Sequence, residues 1–169
     1  TAGFNTAHFS KLTESGQMLT IILMLIGGSP GSTAGGMKTT TLAVLTATAV
    51  SVFRRNENPE LFKRRIAPET VANAASILMM YLSLCLTGAF LISRIEELPM
   101  MACMFETASA VGTVGLSFGI TPGLGSISRI ILIILMYLGR VGGLTLIYAA
   151  LSGHRIRFGK YPLEKITVG

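Results

Sequence analysis

Apolar residues run along this chain in blocks of two lengths. Residues 17–28 (QMLTIILMLIGG) form a short block; crossing about 30 Å of hydrocarbon takes roughly 20 helical residues. The block runs into a Gly/Ser-rich break, Gly27–Gly36 (GGSPGSTAGG), and a helical pattern resumes from Met37 to Phe53. Taken together these residues predict one span interrupted midway. Residues 70–93 (TVANAASILMMYLSLCLTGAFLIS) predict an uninterrupted span. Residues 98–110 (LPMMACMFETASA) are helical in pattern, carry Pro99 near the first turn, where proline is tolerated, and are too short to cross. Residues 127–151 predict a second full span, with Arg140 inside it.

Composition places these blocks in a bilayer. Half of the 169 residues are hydrophobic and 13% are charged, whereas a soluble domain carries about a quarter charged residues. With no Trp, an aromatic belt rests on Tyr and Phe. The chain opens on a polar TAGFNTAHFSKLTES segment, which is no signal peptide. The net charge of +6 raises nucleic acid as a partner, but nine of the fourteen Lys/Arg residues flank the apolar blocks in two clusters. The first holds Arg54, Arg55, Lys63, Arg64 and Arg65, the second Arg155, Arg157, Lys160 and Lys165. That is the positive-inside pattern of cytoplasmic loops, without the aromatic interleaving that nucleic-acid binding needs. Cys85 and Cys103 have no metal-ligand spacing and read as buried free thiols. His8 and His154 lie in polar flanks and read as solvated.

One assumption orders the topology. If the 54–69 loop is cytoplasmic, span 70–93 exits at Arg94–Glu97, helix 98–110 dips in and returns, and span 127–151 brings the basic tail, 152–169, back inside. A short helix followed by Gly-rich extended backbone reads as a re-entrant pore loop. Non-helical backbone survives at that depth only where protein or a water-filled cavity satisfies it.

A shift of 112 residues superposes two regions without a gap: Thr1, Ala2, Gly3 and Phe4 fall on Thr113, Val114, Gly115 and Leu116, and Gln17–Gly28 falls on Arg129–Arg140. Within the second pair, Ile21, Ile22, Leu23, Met24 and Gly27 match Ile133, Ile134, Leu135, Met136 and Gly139. The shared register defines a unit of spanning helix, re-entrant helix, Thr-x-Gly strand and spanning helix (M1-P-M2). The expected fold is all-α, integral to the membrane, and built of such repeats. Residues 1–53 hold the filter strand and broken M2 of one repeat. Residues 70–151 hold a complete one, with M1 70–93, pore helix 98–110, filter 112–117 and M2 127–151. Repeated units in membrane proteins surround a shared pathway, and two filter segments do not encircle an ion. The chain is therefore expected to be part of a longer polypeptide.

Potassium selection uses rings of backbone carbonyls that replace the hydration shell. Glycine is required where the backbone enters conformations closed to residues with a Cβ. Gly3 and Gly115 fit that requirement, with the carbonyls of Thr1–Gly3 and Thr113–Gly115 as candidate ligands, flanked by Phe4 and Leu116. No organic cofactor is expected. Any metal contact is K⁺ on filter carbonyls.

TAGFNT, GGSPGSTAGGMKTTT, FETASAVGTVGLSFGITPG, GRVGGLTL and the closing KYPLEKITVG together resemble the KtrB/TrkH/NtpJ superfamily of bacterial potassium uptake subunits, in pattern most of all KtrB, over essentially the whole chain. The resemblance implies four helix–pore-loop–helix repeats, a channel-like transporter of the bacterial plasma membrane, and no enzyme activity. This chain then carries the end of the third repeat and all of the fourth. It implies that Gly3 and Gly115 are filter glycines, that GGSPGSTAGG is an intramembrane gate, and that Arg140 faces the pore near it. It also implies a homodimer and a cytoplasmic KtrA-type nucleotide-binding ring as partner. Na⁺ is a candidate coupling ion beside the transported K⁺.

The gate segment suits that role chemically. Gly27, Gly28, Gly31, Gly35 and Gly36 allow several conformations, and Pro30 blocks helix continuation. Ser29, Ser32 and Thr33, with Ala34 between them and the last glycines, offer hydroxyls to freed backbone groups. A static helix break lining a cavity is the plainer reading. Arg140 is costly inside a span unless it faces water or a partner; it either raises the barrier to cations, pins the loop by donating to its carbonyls, snorkels, or makes a purely structural hydrogen bond. Lys38 is a further candidate for the inner pore. Glu106, on the re-entrant helix, either accepts hydrogen bonds from backbone behind the filter, the expected scaffolding role, or adds cation-attracting potential, and Asn5 and Ser117 occupy equivalent positions beyond the two filters. Two rival readings remain: an accessory membrane subunit without its own pathway, and a nucleotide-binding ATPase through residues 31–39. The latter nearly match a phosphate-binding loop but have Met37 before Lys38-Thr39 and no preceding strand.

Overall fold

The computed structural model describes residues 3–6, 9, 12–55, 59–62 and 64–142. It is predominantly helical. Helices α1 (Glu14–Leu25), α2 (Thr39–Phe53), α3 (Pro68–Glu96), α4 (Met100–Val111) and α5 (Ser126–Val141) follow in order, with two-residue strands β1 (Glu60–Leu61) and β2 (Arg64–Arg65) between α2 and α3. Among the described residues, α3 is the one helix long and apolar enough to cross a membrane.

Helix α1 starts where Thr13 caps it, its Oγ1 accepting the Gly16 N–H at 3.3 Å, with Glu14 in the first turn facing the positive end of the dipole. It stops at the Gly27–Gly36 break, whose two ends come together: Ile26 and Met37 form an isolated parallel bridge. The second half of the interrupted span therefore does not begin at Met37. That side chain is buried in the core, Lys38 is extended as N-cap (φ −76°, ψ 151°), and α2 begins at Thr39.

Helix α3 is longer than the 70–93 block, because Pro68 suits a first turn and the charged Arg94–Glu96 segment stays helical until Glu97 turns left-handed at φ 54°. Ser93 Oγ then donates to the Leu98 carbonyl at 2.8 Å. Pro99 is the N-cap of α4 rather than part of it. Helix α4 lies at the centre, touching α1, α3 and α5, and every side chain from Phe105 to Val111 is buried. Close approach is bought with small residues: a Cβ on Gly88 of α3 would lie 2.7 Å from Leu135 Cδ1, and one on Gly139 of α5 would fall on the Val111 carbonyl. One core layer joins Tyr81, Ala89, Ile92, Val111, Leu132 and Leu135; a second joins Ile21, Met24, Cys85, Phe105 and Ala108. Both cysteines are free and buried.

Within the block expected to be helical over 127–151, α5 runs from Ser126 to Val141, and Gly142 takes φ +87°, ψ 135°, a region open to glycine. Residues 143–151 and the tail, with His154 and the second basic cluster, lie outside the described residues, as do Thr1, Ala2, His8, Lys11 and Lys63. The 54–69 loop carries an antiparallel hairpin pairing Glu60 with Arg65 and Leu61 with Arg64.

Candidate functional site: a Thr-x-Gly segment, its support and an adjoining loop

The chain leaves α4 through a tight set of backbone bonds. Gly112, Thr113 and Val114 donate to the carbonyls of Ala108, Ala110 and Ser109 at 2.8, 3.1 and 2.9 Å. Residues 114–118 then run without regular secondary structure. Gly115 takes φ +88° and Gly3 φ +72°, both closed in practice to side chains. A Cβ on Gly3 would lie 2.6 Å from the Gly115 carbonyl oxygen. The two Thr-x-Gly segments thus meet backbone to backbone through their glycines, although 112 positions separate them in sequence. Phe4 and Asn5 are exposed and line a shallow cleft with Phe9 and Leu116.

Glu106 sits behind the 113–118 segment, buried, and gathers three donors. Its Oε1 accepts Ser117 Oγ–H at 2.6 Å and the Phe118 N–H at 2.9 Å, and its Oε2 accepts Thr121 Oγ–H at 3.0 Å. Ser117 Oγ in turn accepts the Gly119 N–H at 2.8 Å. A buried acceptor left without donors costs its desolvation; here each carboxylate oxygen is engaged. The arrangement fixes the outer end of the segment to the short helix that precedes it.

The Gly27–Gly36 loop lies against the foot of the same segment. The Gly35 N–H donates to Thr113 Oγ1 at 2.9 Å, and a Cβ on Gly36 (φ +74°) would lie 3.2 Å from Gly112 Cα. The Gly36 N–H approaches the Gly139 carbonyl of α5 at 3.5 Å, a carbonyl that also accepts the Tyr81 hydroxyl at 3.2 Å. Two cations hold the loop carbonyls. The Arg140 guanidinium donates to the Thr33 carbonyl, and Lys38 Nζ donates to the carbonyls of Ala34 at 2.5 Å and, more weakly, Ser32 at 3.5 Å. Ser29, Pro30 and Gly31 form the exposed turn of the loop, closed by Ser32 N–H on the Ser29 carbonyl at 3.1 Å. A cleft of about 690 Å³ brings Glu106, Thr113, Gly115, Ser117 and Arg140 to one wall system.

Three contacts escaped sequence reasoning. The Phe105 ring on α4 is stacked on Phe118 (centroids 4.0 Å apart) and tilted against Phe9 at 5.5 Å, so one ring supports the residues that follow both Thr-x-Gly segments. Glu96 Oε1 accepts the Gly125 N–H at 2.8 Å and Ser128 Oγ–H at 2.6 Å, tying the end of α3 to the start of α5, where a carboxylate is favoured by the exposed N–H groups. Tyr81 reaches Gly139 from α3. The only sequence signals were residue types suited to such contacts, not their pairing.

The phosphate-loop alternative does not survive this geometry. What precedes Gly31 is helix α1, not a strand. The loop presents carbonyls to Lys38, whereas a phosphate cradle presents N–H groups.

Residues 1–155 match the TrkH family, described as a cation transport protein. The chain is 39% identical over 175 residues to the potassium/sodium uptake protein NtpJ of Enterococcus hirae, covering all of this chain and 39% of that protein. It is 35% identical over 169 residues to the Ktr system potassium uptake protein B of Bacillus subtilis and to that of Vibrio alginolyticus. In each case all of this chain is covered, and 38% and 37% of the respective relatives. The chain thus spans under two-fifths of the length of these relatives. On a match over nearly its whole length, it belongs to the TrkH family of cation transport proteins.

Proposed function

We propose that this chain supplies two of four filter segments and the gate of a potassium uptake pathway in the bacterial plasma membrane. The observation that carries the reading is the meeting of Gly3 and Gly115, both at positive φ and too close for a Cβ between them. A carbonyl ring of the kind that strips water from K⁺ needs that backbone geometry, and the relatives named as potassium or potassium/sodium uptake proteins supply the ion.

In this reading α3, α4 and α5 are the outer, pore and inner helices of the fourth repeat, and α1 with α2 is the broken inner helix of the third. K⁺ enters from outside, exchanges water for the carbonyls of Thr1–Gly3 and Thr113–Gly115 and those of two further repeats, and meets the 27–36 loop below. Glu106 and Ser117 hold the outer end of the fourth segment, with Asn5 in the equivalent place on the third. Arg140 and Lys38 hold the loop across the path, and their charge adds to the barrier for a cation. The hairpin between α2 and α3 and the C-terminal tail face the cytoplasm, a KtrA-type nucleotide-binding ring acts on the loop from that side, and two copies pair as a homodimer. Na⁺ is the candidate coupling ion.

The test is rescue of a K⁺-uptake-deficient bacterium at low potassium by the full-length protein, with and without a KtrA-type partner. Growth that depends on K⁺ and is enhanced by the partner supports the reading. Membrane-inserted protein that restores no growth and no rubidium uptake in either setting leaves the accessory-subunit reading in its place.

A further inference from the structure

We infer that the Thr113 side chain is a latch joining the filter to the gate loop, so that loop release and the conformation at the filter foot are coupled. The inference rests on the filter and gate assignments above and adds a residue that acts between them.

Thr113 takes φ +52°, which is rare and costly for a β-branched side chain. Its backbone is held there from one side, by its own N–H on the Ala110 carbonyl and by the Val114 N–H on the Ser109 carbonyl. The loop holds it from the other. Gly35 N–H donates to Thr113 Oγ1 at 2.9 Å across 78 positions of sequence, and Gly35 is buried against this side chain, where an added Cβ would fall on Oγ1. The neighbouring residues dock in parallel, Gly36 upon Gly112. Two successive loop glycines therefore sit on two successive residues at the root of the filter. Leaving that seat removes the hydrogen bond to Oγ1 and one of the constraints that keep Thr113 at positive φ.

The coupling runs both ways, as any linkage must. A cation drawn to Thr113 Oγ1 from below competes with the Gly35 amide for the same oxygen and biases the loop outward. A loop drawn outward by a partner frees that oxygen and lets the filter foot relax. Arg140 and Lys38 tether other loop carbonyls and Gly139 meets the Gly36 N–H, so the latch is one of several attachments, and the one whose hydrogen bond reaches the filter foot.

The experiment uses the full-length protein in membranes with Ser32→Cys as reporter and other cysteines replaced. Modification of that thiol by a membrane-impermeant reagent from the cytoplasmic side is timed in three backgrounds: Thr113, Thr113→Val and Thr113→Ser. Valine keeps the shape and removes the acceptor, and serine restores it. The expected result is labelling roughly 2- to 10-fold faster with valine, the ratio that one ordinary hydrogen bond supports, and a return toward the parent rate with serine. Equal rates in all three backgrounds overturn the latch. Rubidium uptake is then compared for Thr113→Val alone and combined with deletion of Ser29–Gly35: a latch acting through the loop changes gating only when the loop is present. An equal effect of valine in both settings also overturns the latch, since Thr113 would then act on the ion alone. Faster labelling with a loop deletion that leaves uptake unchanged keeps the latch and removes the gate assignment instead.

Discussion

Helices α1 and α5 occupy the same place in the 112-residue register, yet they bury different faces. Ile21 and Met24 on α1 are 1% and 4% exposed, while their counterparts Ile133 and Met136 on α5 are 62% and 48% exposed. The order reverses at the position between them: Leu23 is 58% exposed and Leu135 4%. The partners explain the reversal. Ile21 and Met24 pack on Cys85, Phe105 and Ala108 of α3 and α4. Leu135 packs on residues of the same two helices in the other core layer. In the repeat arrangement proposed above, an inner helix has one face for its own repeat and another for the next. Each helix here shows its partner on one face only. The clefts agree: Thr20, Met24 and Gly28 line one with Gly112 and Val114, and Leu132, Met136 and Arg140, their register equivalents, line the large one.

The largest effect expected from this comparison is on stability. Truncating a buried isoleucine to alanine costs about 2–5 kcal/mol. In the full-length protein Ile133→Ala is expected to lower the melting temperature in detergent about as much as Ile21→Ala, because a further repeat covers Ile133 there. A fall for Ile21→Ala with none for Ile133→Ala would mean that the α5 face meets lipid or solvent and that the two helices are not equivalent.

The filter glycines come next. Gly3→Ser and Gly115→Ser are each expected to lower rubidium affinity at least about tenfold, roughly 1.4 kcal/mol, with weaker discrimination against sodium, because a side chain enters a space where the two backbones already touch. Affinity and sodium competition at wild-type levels in either variant would break the pairing of the two segments.

A smaller effect belongs to Arg140, the register partner of Gly28. Arg140→Ala removes the tether to the Thr33 carbonyl and is expected to raise partner-free uptake by a few-fold, within about 1 kcal/mol, since Lys38 still holds Ala34. Reduced uptake at normal membrane abundance would place Arg140 on the side of conduction rather than closure.

How much of this was readable in the chain depended on the distance between partners. The register, the Thr-x-Gly pair and the central short helix were legible because apolar run length and glycine position are local properties. The positive φ at Gly142 had a signal, Gly142-Gly143, but glycine is tolerated inside membrane helices, so the apolar run read through it. The Ile26–Met37 bridge was hidden because Met37 looks like a helix residue, and tertiary burial overrode that preference. Glu96, Tyr81 and Phe105 were illegible as partners: each bonds or stacks across a stretch of chain whose folding path, not its composition, brings the groups together. Arg94–Glu97 read as the place where span 70–93 exits, yet one of its acids caps α5.

The smallest effect concerns the outer support. Ser117 donates to Glu106 and accepts from Gly119, so it relays one carboxylate oxygen to the backbone beyond the filter. Removing that hydroxyl leaves Glu106 with the Phe118 N–H and the Thr121 hydroxyl; a single neutral bond is worth about 0.5–1.5 kcal/mol, and one to a charged group somewhat more. Ser117→Ala is therefore expected to lower rubidium affinity by about two- to fivefold, and Glu106→Gln, which disturbs all three bonds, by more. Because Asn5 holds the equivalent place in the 112-residue register, Asn5→Ala measured beside Ser117→Ala compares the two positions directly. Equal losses would mean that both repeats brace their filters through this position. A loss confined to Ser117→Ala would mean that the fourth repeat alone relies on it, with Glu106 as the reason.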